Sequence, residues 1–230
     1  CCLMFLKSSV YIQLAISSAH LAISPQITWR AMEYAYYARE FPHQQWEWMC
    51  ACVEILVAFG QFEREAKVYA LCKKEIPTQS FWHETLLTHH LKGIIHQVEN
   101  RLARSIVVHH TYGSSLLDVE NSGIIHQLLN ELNMASEYKT RKGELNFYKG
   151  LVNVYKSMIK LSSALKATHL ERSKKFLNAA IPVLRQDGYL RIQALQLCEF
   201  INNDTLHLLE NNIAWRIMTK TFWNFPSSET

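Results

Sequence analysis

The residue type most able to do chemistry in this chain is histidine, of which there are eleven. His83 and His90 are seven positions apart, as are His89 and His96, so on a helix each pair shares a face. His109 and His110 add a third cluster. A zinc protease of the His-Glu-x-x-His type needs its second imidazole one helical turn after the first. Here His83-Glu84 is followed by His89, two residues too late. A closed zinc site needs four converging N, S or carboxylate ligands. Cys50 and Cys52 do not help to build one, because two helical steps place their thiols about 200° apart. No metal or other cofactor is expected from these spacings.

Nucleophilic and nucleotide chemistry have no better footing. The chain contains no Gly-x-Ser-x-Gly elbow, no phosphate-binding Gly-x-x-x-x-Gly-Lys loop and no Gly-x-Gly-x-x-Gly fingerprint. Scattered Ser, His and Asp could meet only through the fold, so the expectation is a non-enzyme. Three other groupings invite a binding role. His96-Gln97 recurs as His126-Gln127, and aligned polar pairs on stacked helices can hydrogen-bond an extended peptide. The simpler reading is that Gly93 and Gly123 let helices approach closely and the His-Gln pairs cap that contact. Basic residues gather between 139 and 191, among them Lys149, Lys156, Arg172 and Lys175. Such a surface suits an acidic peptide or a phosphate backbone. Interspersed Glu137, Glu144 and Glu171 fit an ordinary solvated helix face equally well. Near the C-terminus, Trp215, Phe222 and Trp223 are candidate anchors for a partner, or the joint onto a neighbouring repeat.

The elements that would carry these residues are helices. Seven glycines and five prolines in 230 residues leave few breaks for the turns of a β fold. Leu170, Ser173, Phe176, Leu177, Ala180, Ile181 and Leu184 form one helix stripe, and Tyr148, Leu151, Val152, Tyr155, Ile159 and Ser162 form another. Ser24-Pro25 and Phe41-Pro42 each read as a helix start, with Ser24 as N-cap. Gly60, Pro77, Gly113-Ser114-Ser115, Ser162-Ser163, Asp187-Gly188 and Asn202-Asn203-Asp204 mark breaks. Thr78 or Ser80 is placed to cap the helix after Pro77, and Thr168 with Glu171 has capping-box spacing. Pro182 is expected to bend or fray a last turn. The sum is about ten antiparallel helices with short connections.

Self-similarity gives the helices an order. Residues 86–102 match residues 116–132 at nine of seventeen positions, including Gly-Ile-Ile-His-Gln at 93–97 and 123–127. Fixed-period repetition is the mark of a solenoid. Within residues 46–77, Trp46-x-x-Met49, Gly60-x-Phe62, Ala66, Tyr69 and Pro77 resemble a tetratricopeptide repeat, with Glu65 where that family usually has alanine. The stretch 143–184 resembles the same unit with a longer connection at 162–168. The resemblance implies an irregular α-solenoid of antiparallel helix pairs with a concave binding groove. Trp29, Trp46, Trp48, Phe59, Phe62 and Tyr69 would fill its first joints.

Composition frames the partner. The formal net charge of +4 is modest, which favours a protein partner over nucleic acid. Cys1, Cys2, Cys50, Cys52, Cys72 and Cys198 lie in apolar stretches, as buried thiols of an intracellular protein do. Residues 2–23 are the most lipid-like stretch, but Lys7, Gln13, His20 and four serines favour burial in protein over a membrane. The expectation is one helical-repeat domain over 1–225 and a tail at 226–230, read as part of a longer protein because the first residue is Cys1. Its function would be a non-enzymatic protein–protein scaffold within a larger assembly. The alternative is a nucleic-acid-binding helical-repeat module using residues 139–191, and a helical enzyme assembled from scattered residues stands third.

Overall fold

The computed structural model describes residues 2–21, 23–39, 41–112, 123–134, 141–159, 163–186 and 188–203. Nine α-helices and no strand occur among them. They are α1 (Cys2–His20), α2 (Pro25–Tyr37), α3 (Pro42–Ala58), α4 (Phe62–Glu75), α5 (Phe81–Tyr112), α6 (Ile124–Met134), α7 (Lys142–Ile159), α8 (Ser163–Ala180) and α9 (Tyr189–Asn202). None of the described helices is long and apolar enough to cross a membrane.

Most boundaries follow local chemistry. Pro25 and Pro42 open α2 and α3, where a missing N–H costs nothing. Ser24 occupies the N-cap position of α2 without capping through its side chain. At Phe41 the buried Gln44 takes over, its Oε1 accepting from the Phe41 backbone N–H at 3.1 Å. Gly60 has φ +68°, and the N–H groups of Gly60 and Gln61 donate to Val57 and Leu56. This is the left-handed glycine stop that ends a helix and turns the chain back. Ser80 caps α5, its Oγ accepting from His83 N–H. Helix α8 closes at Ala180, two residues before Pro182, as ring sterics require.

The Thr168 expectation is overturned. Thr168 lies inside α8, and its Oγ1 donates back to the Ala164 carbonyl at 2.9 Å. Residues 163–168 are therefore helical rather than a connection. Ala164, Leu165, Lys166 and Ala167 are good helix formers, and they extend the helix past the spacing signal. Gly113, Ser114, Ser115, Ser162, Asp187 and Asp204 lie outside the described residues.

The chain divides into two compact units, Cys1–Ile94 and Ile95–Thr230. In the first, Ser8 Oγ donates to Ala35 O and the Tyr11 ring meets Tyr34, so α1 and α2 run antiparallel. Contacts of α1 with α3 pair Ser9 with Glu47 and His20 with Glu54, which makes these two helices parallel. Contacts of α3 with α5 pair Cys50 with Trp82 and Glu54 with His89, again parallel. Helix α4 returns against α5, Glu65 meeting His90. Up and down helices thus alternate. Their core is Ile12, Ala15, Ala19, Ala31, Met32, Ala35, Ala51, Cys52 and Ile55. Alanines on three helices allow close approach, and each buried Ile or Met contributes roughly 1.5–3 kcal/mol. Trp48 and Phe59 pack against this core, whereas Trp29 is exposed.

In the second unit α7 and α8 pack most extensively, α6 lies on α7, and α9 lies on α8 and less on α7. Of the two stripes expected for this region, Tyr148, Leu151, Val152 and Tyr155 are buried on α7 and Ser173, Leu177 and Ala180 on α8, while Leu170, Phe176, Ile181 and Leu184 are only half-buried. Gly150 is a point of close approach between α7 and α8. Ser173 Oγ donates to its carbonyl at 2.9 Å, and Leu177 covers its α-carbon.

Candidate functional site

The repeated motif folds in two different ways. Ile94, Ile95, Val98 and Leu102 are buried on α5, and Ile124, Ile125, Leu128 and Leu132 are buried on α6 at the same spacing. The glycines differ. Gly93 sits in mid-helix, where an added Cβ would lie 3.0 Å from Val57 Cγ2 and 3.4 Å from Glu65 Oε2. Gly123 has φ +69° and open space around it, just before α6. Close helix approach therefore holds at Gly93 and not at Gly123. The two copies share an apolar heptad, not a structural position.

The candidate partner-binding residues are accordingly spread out. His96 and Gln97 are half-buried on α5, and His96 turns to its own helix, Nδ1 3.7 Å from Glu99. His126 and Gln127 are exposed on α6. Lys149 and Lys156 are half-buried on α7, while Arg172 and Lys175 are exposed on α8. Lys149 Nζ lies 6.0 Å from the centre of the Phe176 ring, a contact within the fold. Trp215, Phe222 and Trp223 lie outside the described residues.

Two carboxylates, the fully buried Glu65 and the partly buried Glu54, neither among the sequence candidates, form the most distinctive polar cluster. Glu65 of α4 is fully buried, and one oxygen accepts or shares a proton with His90 Nδ1 at 2.8 Å. Its Oε2 has no hydrogen-bond partner among the described residues. The His90 ring stacks on Tyr69 at 3.7 Å between centroids, and Lys73 Nζ lies 5.2 Å from the centre of the Tyr69 ring. On α3, Glu54 is met by His20 Nε2 from α1 at 3.2 Å and His89 Nε2 from α5 at 3.6 Å. Burial alone would raise the Glu54 pKa. The His20 hydrogen bond and the positive charges of His89 and Lys92 overcome it and hold the carboxyl below its ordinary range. The sequence carried one signal for this cluster, an acidic residue at position 65 where the tetratricopeptide pattern has alanine.

Histidine paired to a carboxylate is also the layout of a general base with its orienting acid. A nucleophile would complete it, and the cysteines are poor candidates. Burial pushes Cys72 up to about 11 and raises Cys52 further, so both stay as thiols. Cys50, Cys52 and Cys72 are buried thiols that form no disulfide among the described residues. Tyr148 is likewise raised by burial, and its hydroxyl has no partner among the described residues. Among the described residues no three His, Cys, Asp or Glu side chains are arranged to hold a metal ion.

His83, at the start of α5, gives a pH prediction. Burial, with Lys73 second, lowers its pKa. The folded form therefore resists protonation that the unfolded chain accepts near pH 6.5. Its stabilising contribution is complete above that pH and falls away as acid is added. Replacing His83→Gln is expected to reduce the loss of stability between pH 7 and 5, measured by urea midpoints across that range. An unchanged acid slope would show that His83 is not the group responsible.

No protein-family model matches the chain, no curated protein matches its sequence, and no solved structure matches its fold.

Proposed function

We propose that the chain is a non-enzymatic helical scaffold that holds another protein, and that the outer faces of α1 and α2 make the contact. One observation carries this reading. Among the described residues, ten of the seventeen exposed large hydrophobic side chains fall between Val10 and Phe41. Val10, Leu14 and Leu21 line the side of α1 away from the core, and Ile27, Tyr34 and Tyr37 project from α2. Apolar side chains gathered in this way are more typical of a contact surface than of a face left in water. The up-and-down alternation of α1 to α5, with α1 packed on both α2 and α3 and α3 on α4, supports a repeat-like, tetratricopeptide-like stack. Buried thiols fit an intracellular setting.

The occupant proposed is an apolar segment of a different protein, because protein–protein hot spots are rich in tyrosine and in aromatic anchors. The test is to exchange Leu14→Glu and Tyr34→Glu, both exposed, and recover the full-length protein from its own cells. The expected outcome is a partner that binds the unaltered protein directly when both are purified and binds the variant at least tenfold more weakly. The variant's thermal midpoint should be unchanged. Equal binding by both proteins would reject this face as the contact.

A second reading, nucleic-acid binding, rests on Arg172 and Lys175 being exposed on α8. Retention on RNA or DNA that falls steeply with salt would favour it over the scaffold.

A further inference from the structure

We infer that the first unit contains a proton-dependent latch, in which Glu54 of α3 is clasped between His20 of α1 and His89 of α5. The geometry supplies the argument. Both imidazoles address the carboxylate through Nε2, one on each oxygen, at 3.2 Å and 3.6 Å. The two rings come from helices far apart in sequence, so the clasp ties α1 and α5 to the helix between them. The carboxylate and His89 are mostly shielded, with side-chain exposures of 20% and 13%, while His20 is 55% exposed. One end of the latch is thus open to solvent protons and the other is screened from salt.

Imidazole is the side chain that changes charge near neutrality. When the two rings take up protons, full positive charges stand 3.2 Å and 3.6 Å from an anion already in place, and the attraction on both sides of Glu54 grows. Mild acid therefore tightens α1 and α5 onto α3, and alkali relaxes them. The lowered pKa of Glu54 keeps the anion present through this range, down to the ordinary carboxylate region. Other groups act on the same helices. Lys92, one turn from His89 on α5, adds positive charge facing Glu54. Glu65 on α4 faces His90 on the neighbouring position of α5. His83 on α5, with Lys73 of α4 beside it, opposes the latch by losing stability in acid. The sign of the whole-chain pH profile is therefore not diagnostic. The coupling between Glu54 and its histidines is.

The experiment is a double-mutant cycle on the full chain with Glu54→Gln and His20→Gln, read by urea unfolding and by hydrogen exchange of α1 amides, at pH 6 and pH 8. His83 contributes equally to every corner and cancels. The expected result is a coupling clearly larger at pH 6 than at pH 8, with α1 amide protection falling on alkalinisation only when Glu54 and His20 are both present. Equal coupling at the two pH values, or equal protection in all four proteins, overturns the latch. Should Glu54→Gln fail to fold, the cycle is run with His20→Gln and His89→Gln, whose separate effects must each shrink at pH 8. The scaffold reading is untouched by either result, because partner binding through Leu14 and Tyr34 is measured separately.

Discussion

Replacing His90→Phe is expected to destabilise the first unit by about 1–3 kcal/mol, the usual cost of leaving a buried polar group without its hydrogen-bond partner. Glu65 is fully buried and His90 nearly so, and the second Glu65 oxygen already lacks a hydrogen bond among the described residues. Phenylalanine keeps a ring against Tyr69, so the loss reports the 2.8 Å hydrogen bond to Glu65 rather than the stack. The informative comparison is the double variant Glu65→Met with His90→Phe. It removes both polar partners and leaves apolar groups of similar size. Buried pairs replaced in this way are often neutral or stabilising. The double variant should therefore recover most of what the single variant loses, as measured by urea unfolding at pH 7. Single and double variants of equal, low stability would mean that the pair is held for its shape and not for its hydrogen bond.

The same pair shows how far the sequence can be read. Helix existence was legible because prolines, Gly60 and the apolar stripes act locally, each within a turn or two of chain. The ends of α2, α3, α4 and α5 follow from Pro25, Pro42, Gly60, Pro77 and Ser80 in that way. Thr168 misled because a capping-box spacing also occurs inside a helix, where the hydroxyl is satisfied by the carbonyl four residues back. Partners across helices were not legible. Nothing within a few residues of Glu54 indicates that His20, 34 positions earlier, and His89 come to its two oxygens. Of the histidines spaced seven apart, His89 and His90 find their carboxylates on other helices, whereas His96 pairs with Glu99 on its own. The repeated Gly-Ile-Ile-His-Gln segment marks a second limit. Identical residues bury the same apolar heptad, while one glycine is pressed against Val57 and the other opens a helix in free space. Sequence identity fixed the apolar face and left the role of the glycine to its surroundings.

A glycine on a packed face is where an otherwise favourable helix substitution should do harm. Gly150→Ala gains about 1 kcal/mol in helix propensity taken alone. In α7 the new Cβ would stand 2.7 Å from Leu177 Cγ and 2.8 Å from Cδ2, closer than carbon atoms can approach. Leu177 is fully buried and has little room to turn aside. Either the leucine leaves its rotamer or α7 and α8 separate, and separation would stretch the 2.9 Å bond from Ser173 Oγ to the Gly150 carbonyl. Overpacking of this kind costs typically 1–3 kcal/mol, and the lost buried hydrogen bond adds about 1 kcal/mol. A net loss of roughly 1–3 kcal/mol is therefore expected despite the propensity gain. Leu177→Ala alone should cost about 2–5 kcal/mol by opening a cavity. Combined with Gly150→Ala, it should cost less than the two separate losses added, because the new methyl then enters space that the leucine vacated. Thermal or urea unfolding of the four proteins decides the matter. Strict additivity, or a stabilised Gly150→Ala protein, would mean that α7 and α8 do not meet at Gly150 as closely as the contact with Leu177 requires.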